Sequence, residues 1–216
     1  MNTVYFNDYN SWKDFSLILS SHTIESPTPK TEKIDVAGAD GDLDYTEYFG
    51  EVRYNNRKIV LNFTTFGRAN ELSERLSEFL NVVHGQSMNI TITDDSDFYY
   101  VGRIEVKTPT VDKNIMKIQV ECDCEPYKYA VQETVIKRTL LDGESITLDC
   151  TNLRKTVIPT IVTNSEISIS FGNVEVALSA GRFISSQLVF KKGSNIITVT
   201  SLGKATFEIR YREGGL

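Results

Sequence analysis

The chain has 216 residues, and at roughly 150 residues per domain that length allows one large all-β domain or two small ones. Its 23 Lys and Arg against 29 Asp and Glu leave a net charge of −6, the opposite of the balance on proteins that hold nucleic acid by its phosphates. With 40% hydrophobic and 24% charged residues it is neither disordered nor membrane-like, and it is expected to be an acidic, soluble, globular protein.

The opening segment, Met1 to Asn10, is polar and aromatic and lacks the basic and apolar regions of a secretion signal, so none is expected. Lys33 to Val36 reads as a strand before an acidic loop, and Glu51 to Phe63 as a strand after it. From Asn70 to His84 the period changes. Leu72, Leu76, Phe79, Leu80 and Val83 fall at i, i+4, i+7, i+8 and i+11, one apolar stripe of an amphipathic helix. Asn70 is the expected N-cap, Glu71 and Glu74 suit the positive end of the helix dipole, and Gly85 is the expected C′ residue. A helix of this length is marginal alone, so the stripe must lie on a sheet.

Alternation then resumes. Met88 to Thr93 ends in the turn Asp94-Asp95-Ser96-Asp97, which predicts a hairpin with Tyr100 to Lys107. In Ile118 to Glu125 the residues Ile118, Val120, Cys122 and Cys124 point one way and four polar residues the other, so both cysteines are expected in the core. With three cysteines in all, a disulfide framework is not expected. Pro126 is expected to end that strand's central pairing, and Glu125 to Tyr129 is the predicted domain boundary. Downstream, strands are predicted at Ser145 to Leu148, Glu166 to Phe171, Val174 to Leu178, Gln187 to Phe190, Ile196 to Val199 and Ala205 to Tyr211. With turn residues every 8 to 12 positions, residues 133–216 read as a small β-sandwich.

Catalytic chemistry finds little support. The two histidines, His22 and His84, lack partner signatures, and His84 at a helix C-terminus is expected to act there as a favoured cation. Asp40, Asp42, Asp44 and Glu51 fall at positions 1, 3, 5 and 12 of a calcium loop, but Tyr45 occupies the glycine position and the flanks read as strands. An acidic solvated loop is therefore expected. Arg53, Arg57 and Lys58, and Arg210 with Arg212, are expected on solvated strand faces or in ion pairs. No catalytic, cofactor-binding or metal-ligating residue is assigned.

Several segments in chain order resemble the distal tail (Dit) proteins of long-tailed, non-contractile phages and related prophages. Ser11-Trp12-Lys13-Asp14-Phe15-Ser16-Leu17 is similar to the family's Asp-Phe-Gly-Leu segment, with Ser16 where the family has Gly. Val36-Ala37-Gly38-Ala39-Asp40-Gly41-Asp42-Leu43-Asp44 resembles its Val-Pro-Gly-x-Asp-Gly-x-Leu-Asp loop, with Ala37 for Pro. Tyr54-Asn55-Asn56-Arg57, His84-Gly85, Asp94-Asp95 before Tyr99-Tyr100-Val101-Gly102-Arg103, and Cys122-Asp123-Cys124-Glu125-Pro126-Tyr127-Lys128 follow. Lys192 to Ile197 and Tyr211 to Leu216 are like the closing segment.

The resemblance implies a mainly β fold: an α+β N-terminal belt domain, residues 1–130 with the helix at about 70–84, and a C-terminal galectin-like β-sandwich, residues 131–216. It implies a structural, non-enzymatic protein without cofactors. Such proteins form a homo-hexameric ring at the virion tail tip, assembled in the bacterial host cytoplasm without membrane insertion. The ring joins the tail tube protein to the tail-associated tip protein, can hold receptor-binding proteins, and lets DNA pass without specific binding. An alternative is a carbohydrate-binding module in which the sandwich reads cell-surface sugars. Its aromatic residues, Phe171, Phe183, Phe190, Phe207 and Tyr211, mostly alternate inward and offer no evident platform.

Overall fold

A computed structural model of the chain describes residues 2–48 and 50–216. The fold is mainly β, with one α-helix among the described residues, and it divides into two compact units between Lys128 and Tyr129.

The first unit contains β1 (Val4–Phe6), β2 (Tyr9–Asn10), β3 (Ile18–Ile24), β4 (Lys33–Asp35), β5 (Asp42–Asp44), β6 (Arg57–Phe66), α1 (Ala69–Val83), β7 (Ser87–Ile92), β8 (Phe98–Val106), β9 (Thr110–Asp112) and β10 (Ile115–Ala130). One sheet runs β2-β1-β7-β8-β10-β6-β3, with β9 paired to β10. Its alternation sorts the two faces: on β6, Ile59, Leu61 and Phe63 are buried while Lys58 and Phe66 are exposed. The helix lies on the buried face. Leu72, Phe79 and Val83 are buried there, and Leu76 and Leu80 pack against the same core. Phe79 is its centre, with ring centroids 5.2 Å from Phe15, 5.8 Å from Phe6 and 6.2 Å from Phe63 in tilted, edge-on geometries.

The helix cap lies two residues earlier than the sequence suggests. Arg68 is the N-cap, and Glu71 accepts its backbone N–H at 3.0 Å, so Asn70 lies inside the first turn and is not the cap. A glutamate three residues into the helix satisfies an orphan amide as well as the dipole, which makes it the stronger start signal. At the other end Gly85 takes a left-handed φ of 77°, the conformation that favours glycine after a helix.

One strand expectation of the first unit is corrected. Glu51 to Asn56 is not strand; β6 begins at Arg57, and only Tyr54 makes a bridge, to Pro29. Pairing on the β6 side does end before Pro126, although β10 itself continues to Ala130. The ladder between β10 and β6 closes at Cys124 opposite Arg57. Pro126 lies past that point, so its missing N–H forfeits no bond to β6, and its carbonyl accepts the Arg57 guanidinium.

The second unit, Tyr129–Gly215, contains β11 (Thr134–Leu140), β12 (Ser145–Asp149), β13 (Thr160–Thr163), β14 (Ile167–Phe171), β15 (Val174–Leu178), β16 (Gly181–Ile184), β17 (Ile196–Ser201), β18 (Ala205–Tyr211) and β19 (Gly214–Gly215). Two four-stranded antiparallel sheets, β11-β18-β13-β16 and β12-β17-β14-β15, share one core. Phe190 sits in that core, edge-on to Tyr211 at 5.2 Å and to Phe171 at 5.9 Å. It gets there without a strand: the expected strand from Gln187 to Phe190 is instead a loop whose last residue bridges Val157. Three outward cross-strand pairs are hydroxyls, Thr139 with Thr206, Ser145 with Thr200 and Thr147 with Thr198.

Candidate interaction surfaces

The residues singled out for chemistry are dispersed into structural roles. His22 sits half-buried on edge strand β3. His84 accepts the backbone N–H of Val106 through Nδ1 at 3.1 Å. Through that bond the His84 ring ties the end of the helix to the adjoining strand β8. Cys122, Cys124 and Cys150 are free thiols without solvent exposure. Burial pushes Cys124 up to about 12 and Cys150 up to about 11, and raises Cys122 further, so none is a nucleophile at neutral pH.

The basic residues form no continuous stripe. Arg57 turns into the core, its guanidinium 5.5 Å from the Tyr100 ring centroid. Lys58 instead pairs with Glu121 at 2.8 Å on the outward face, and Lys107 bridges Glu121 at 3.1 Å and Glu105 at 2.7 Å. Hydrogen bonds from Lys58 and Lys107 hold the Glu121 carboxyl below its ordinary value. In the second unit Glu208 pairs with Lys137 at 2.7 Å and also with Arg210. Arg212 donates to the carbonyls of Ala130 and Val131. These cations are spent on their own chain.

The outward face of the first sheet carries two shallow grooves. One, of about 450 Å³, is lined by Lys58, His84, Arg103, Glu105, Glu121 and Asp123. The other, of about 520 Å³, is lined by Ser20, Asn62, Thr64, Lys107, Lys117 and Gln119. Both are open, and neither brings a nucleophile to a base.

The acidic loop turns out to be part of a larger feature. Strands β3 and β6 are neighbours, and residues 25–56 between them form an arm that carries their pairing past the sheet. Its rungs are Glu25 N–H to the Lys58 carbonyl at 3.0 Å, Asn55 to Thr28 at 2.9 Å, Lys30 to Arg53 at 2.8 Å and Tyr45 to Glu32 at 2.8 Å. Further out β4 pairs β5, with Ile34 opposite Leu43. No described residue of the arm is buried; Ile34 is 53% exposed, Leu43 50% and Tyr48 72%. Residues 25–56 hold eight acidic and three basic side chains, so five of the six net negative charges of the chain lie on the arm. The Thr46 side chain and the Thr46 N–H, the latter at 2.8 Å, both hydrogen-bond the Asp44 carboxylate and lower its pKa. Among the described residues no three acidic, His or Cys side chains are placed to hold a metal ion.

At the far end of β6 lies the opposite kind of surface. Phe66, 55% exposed, stands across from the exposed Ile115. The Gly67 amide donates to the Asn114 carbonyl at 3.1 Å, which holds the β9–β10 turn beside it. Arg68, Lys113 and Lys117 are exposed around this apolar pair, and Lys107–Lys117 carries three lysines against Asp112.

In the second unit the exposed large hydrophobics are aliphatic, among them Leu141, Ile184, Ile196 and Leu202. Phe190, Phe207 and Tyr211 are buried, and Phe171 and Phe183 are half-buried. No aromatic residue of this unit is among its exposed large hydrophobics.

Two β-rich units in series, one with a helix on its sheet and one with two four-stranded sheets, make a fold shared with a phage adsorption-apparatus protein. The crystal structure of SPP1 Dit (gp 19.1), described as a paradigm of the hub adsorption apparatus in phages that infect Gram-positive bacteria, matches with a TM-score of 0.71. The match covers 98% of this chain and 99% of that one at 16% sequence identity, so the likeness is one of fold. No protein-family model matches the sequence, and no curated protein matches it.

Proposed function

We propose that the chain is a structural hub component of a phage or prophage tail tip. The observation that carries this reading is the end-to-end fold match, which covers 98% of this chain and 99% of SPP1 Dit. The order of motifs from Ser11 to Leu216 supports it independently of coordinates. In this reading the first unit is the belt that closes a homo-hexameric ring, and the second is a galectin-like sandwich projecting from it. The ring joins the tail tube to the tail-associated tip protein, and receptor-binding proteins dock on its periphery.

The chemistry of the surfaces agrees with a scaffold. Cations such as Lys58, Lys107 and Lys137 are paired within the chain, the thiols are buried, and many carboxylates lie on an exposed arm. A net charge of −6 opposes adhesion to phosphates, which suits a ring that DNA traverses without being held. Native mass spectrometry of the purified chain, alone and mixed with its tail tube and tip proteins, tests the reading. A six-fold mass with a central hole in negative-stain images is the expected result. A chain that stays monomeric in every mixture would overturn it.

A further inference from the structure

We propose that the root of the arm and the end of β10 open and close as one unit, a clamp that couples the arm to the residues leading into the second unit. The inference stands on the first unit alone and does not require the ring reading. The ladder between β6 and β10 ends at Arg57 opposite Cys124, and from there side chains of the arm root take over. The Asn56 amide donates to the Asp123 carboxylate at 3.0 Å, the Tyr54 ring stands edge-on to Tyr127 at 6.2 Å, and the Arg57 guanidinium donates to the Pro126 carbonyl. With their backbone, residues of the same root hold the rest of the arm. The Arg53 carbonyl accepts from Lys30, Tyr54 bridges Pro29, and Asn55 donates to the Thr28 carbonyl. Residues 53–57 therefore face two ways, and a shift on either side reaches the other through them.

Arg57 makes the clamp cooperative. It is 5% exposed, and among the described residues its Nε has no hydrogen-bond partner and no carboxylate forms an ion pair with it. Its charge is supported by the Tyr100 ring, 5.5 Å away, and by the Pro126 carbonyl. A buried cation with so few partners is strongly destabilised when one acceptor leaves, so Pro126 and Arg57 favour moving together. The end of β10 is also tied down from its other side, where Lys128 pairs with Asp95 at 2.6 Å and lies 4.3 Å from the Phe98 ring centroid. Beyond Lys128 the second unit begins. The arm root thus grips the last residues before that unit, and the grip is built from a charge that has nowhere else to go.

Amide hydrogen exchange of the full chain, read by mass spectrometry, tests this from both sides. Tyr54→Ala removes the ring on the arm side, Asp95→Asn removes the anchor of Lys128 on the strand side, and Arg57→Met removes the hydrogen bond between them. Each should raise exchange by about tenfold or more in residues 125–128 and also at the arm rungs donated by Lys30 and Asn55. Lys58→Met, one residue along but on the outward face, should leave both places within about twofold of the parent. If Arg57→Met loosens the whole unit, seen as faster exchange at Leu61 and Phe63, Tyr54→Ala and Asp95→Asn decide the matter alone. Variants that loosen only the side on which they lie would overturn the clamp and leave the hub reading untouched.

Discussion

The sheet of the first unit and the arm that grows from it share strands and turns but not the forces that order them. On β6 every second residue from Arg57 to Thr65 is buried, and the strand is fixed by contact with the helix and the aromatic cluster. On β4 and β5 every residue is exposed, although both are paired and contain Ile34 and Leu43. A two-stranded ribbon without a covered face is marginal in water. The difference separates residues that hold the fold from residues that are held in reserve for something else, and substitutions on the two sides should fail in different assays.

The largest effect is expected at the centre of the sheet side. Phe79→Ala removes the ring that Phe6, Phe15 and Phe63 all touch, and should cost about 3–5 kcal/mol, read as a lower urea midpoint. A loss below about 1 kcal/mol would mean the helix is not anchored there. Leu76→Asp should cost less than its place in the apolar stripe suggests, since Leu76 is only half-buried and can turn a carboxylate toward water. Next comes Gly102→Ala. A Cβ there would lie 2.5 Å from Cys124 Sγ and 2.7 Å from the Asp123 carbonyl, so β8 and β10 must part, at about 1–3 kcal/mol. Adding Cys124→Ala should recover part of that loss, whereas a simple additive effect would show that the backbone contact dominates.

The sheet side was legible in the sequence because burial writes itself as period. The stripe from Leu72 to Val83 and the alternation from Ile118 to Cys124 each identify a face, and those faces are the ones buried. Pro126 was expected to end the central pairing of β10, and the ladder to β6 does close before it, at Cys124 opposite Arg57, while the strand itself runs on to Ala130. The errors fell where another rule overrode period. Arg57 was expected on a solvated face, but it continues the inward row of Ile59, Leu61 and Phe63 and finds an acceptor at the Pro126 carbonyl. The arm was the least legible part. Residues 51–56 alternate like strand, yet the residues they would need to lie against are absent from the arm, and Asp40 to Glu51 drew attention as a calcium pattern when the informative quantity was charge summed over residues 25–56. Phe190 was readable as core but not as loop, since a single buried ring carries no period.

A smaller effect of opposite sign is expected at Ser16. The residue holds a φ of 56°, in the left-handed region that favours glycine, and its neighbours Phe15 and Leu17 are buried on either side. The family resemblance has glycine at this place. Ser16→Gly should remove the clash of Cβ with the backbone and stabilise the unit by about 0.5–1 kcal/mol after the entropy glycine adds to the unfolded chain. A raised melting temperature checks this, and a lowered one would mean the hydroxyl makes a contact worth more than the strain.

The smallest effect on stability belongs to the arm, and there smallness is the informative result. Ile34→Ser removes a side chain that is 53% exposed and touches no core, so the single chain should change by no more than about 0.5 kcal/mol. The isosteric comparison is Ile59→Ser on β6, a residue of the same type with no exposure, which should cost several times as much by the same measurement. If the two substitutions cost alike in a monomeric sample, the arm is packed by its own chain and the distinction between the regions fails. If they differ as expected, Ile34 contributes nothing to the fold of its own unit, and an apolar residue held in water on a paired strand is left for an interface to cover.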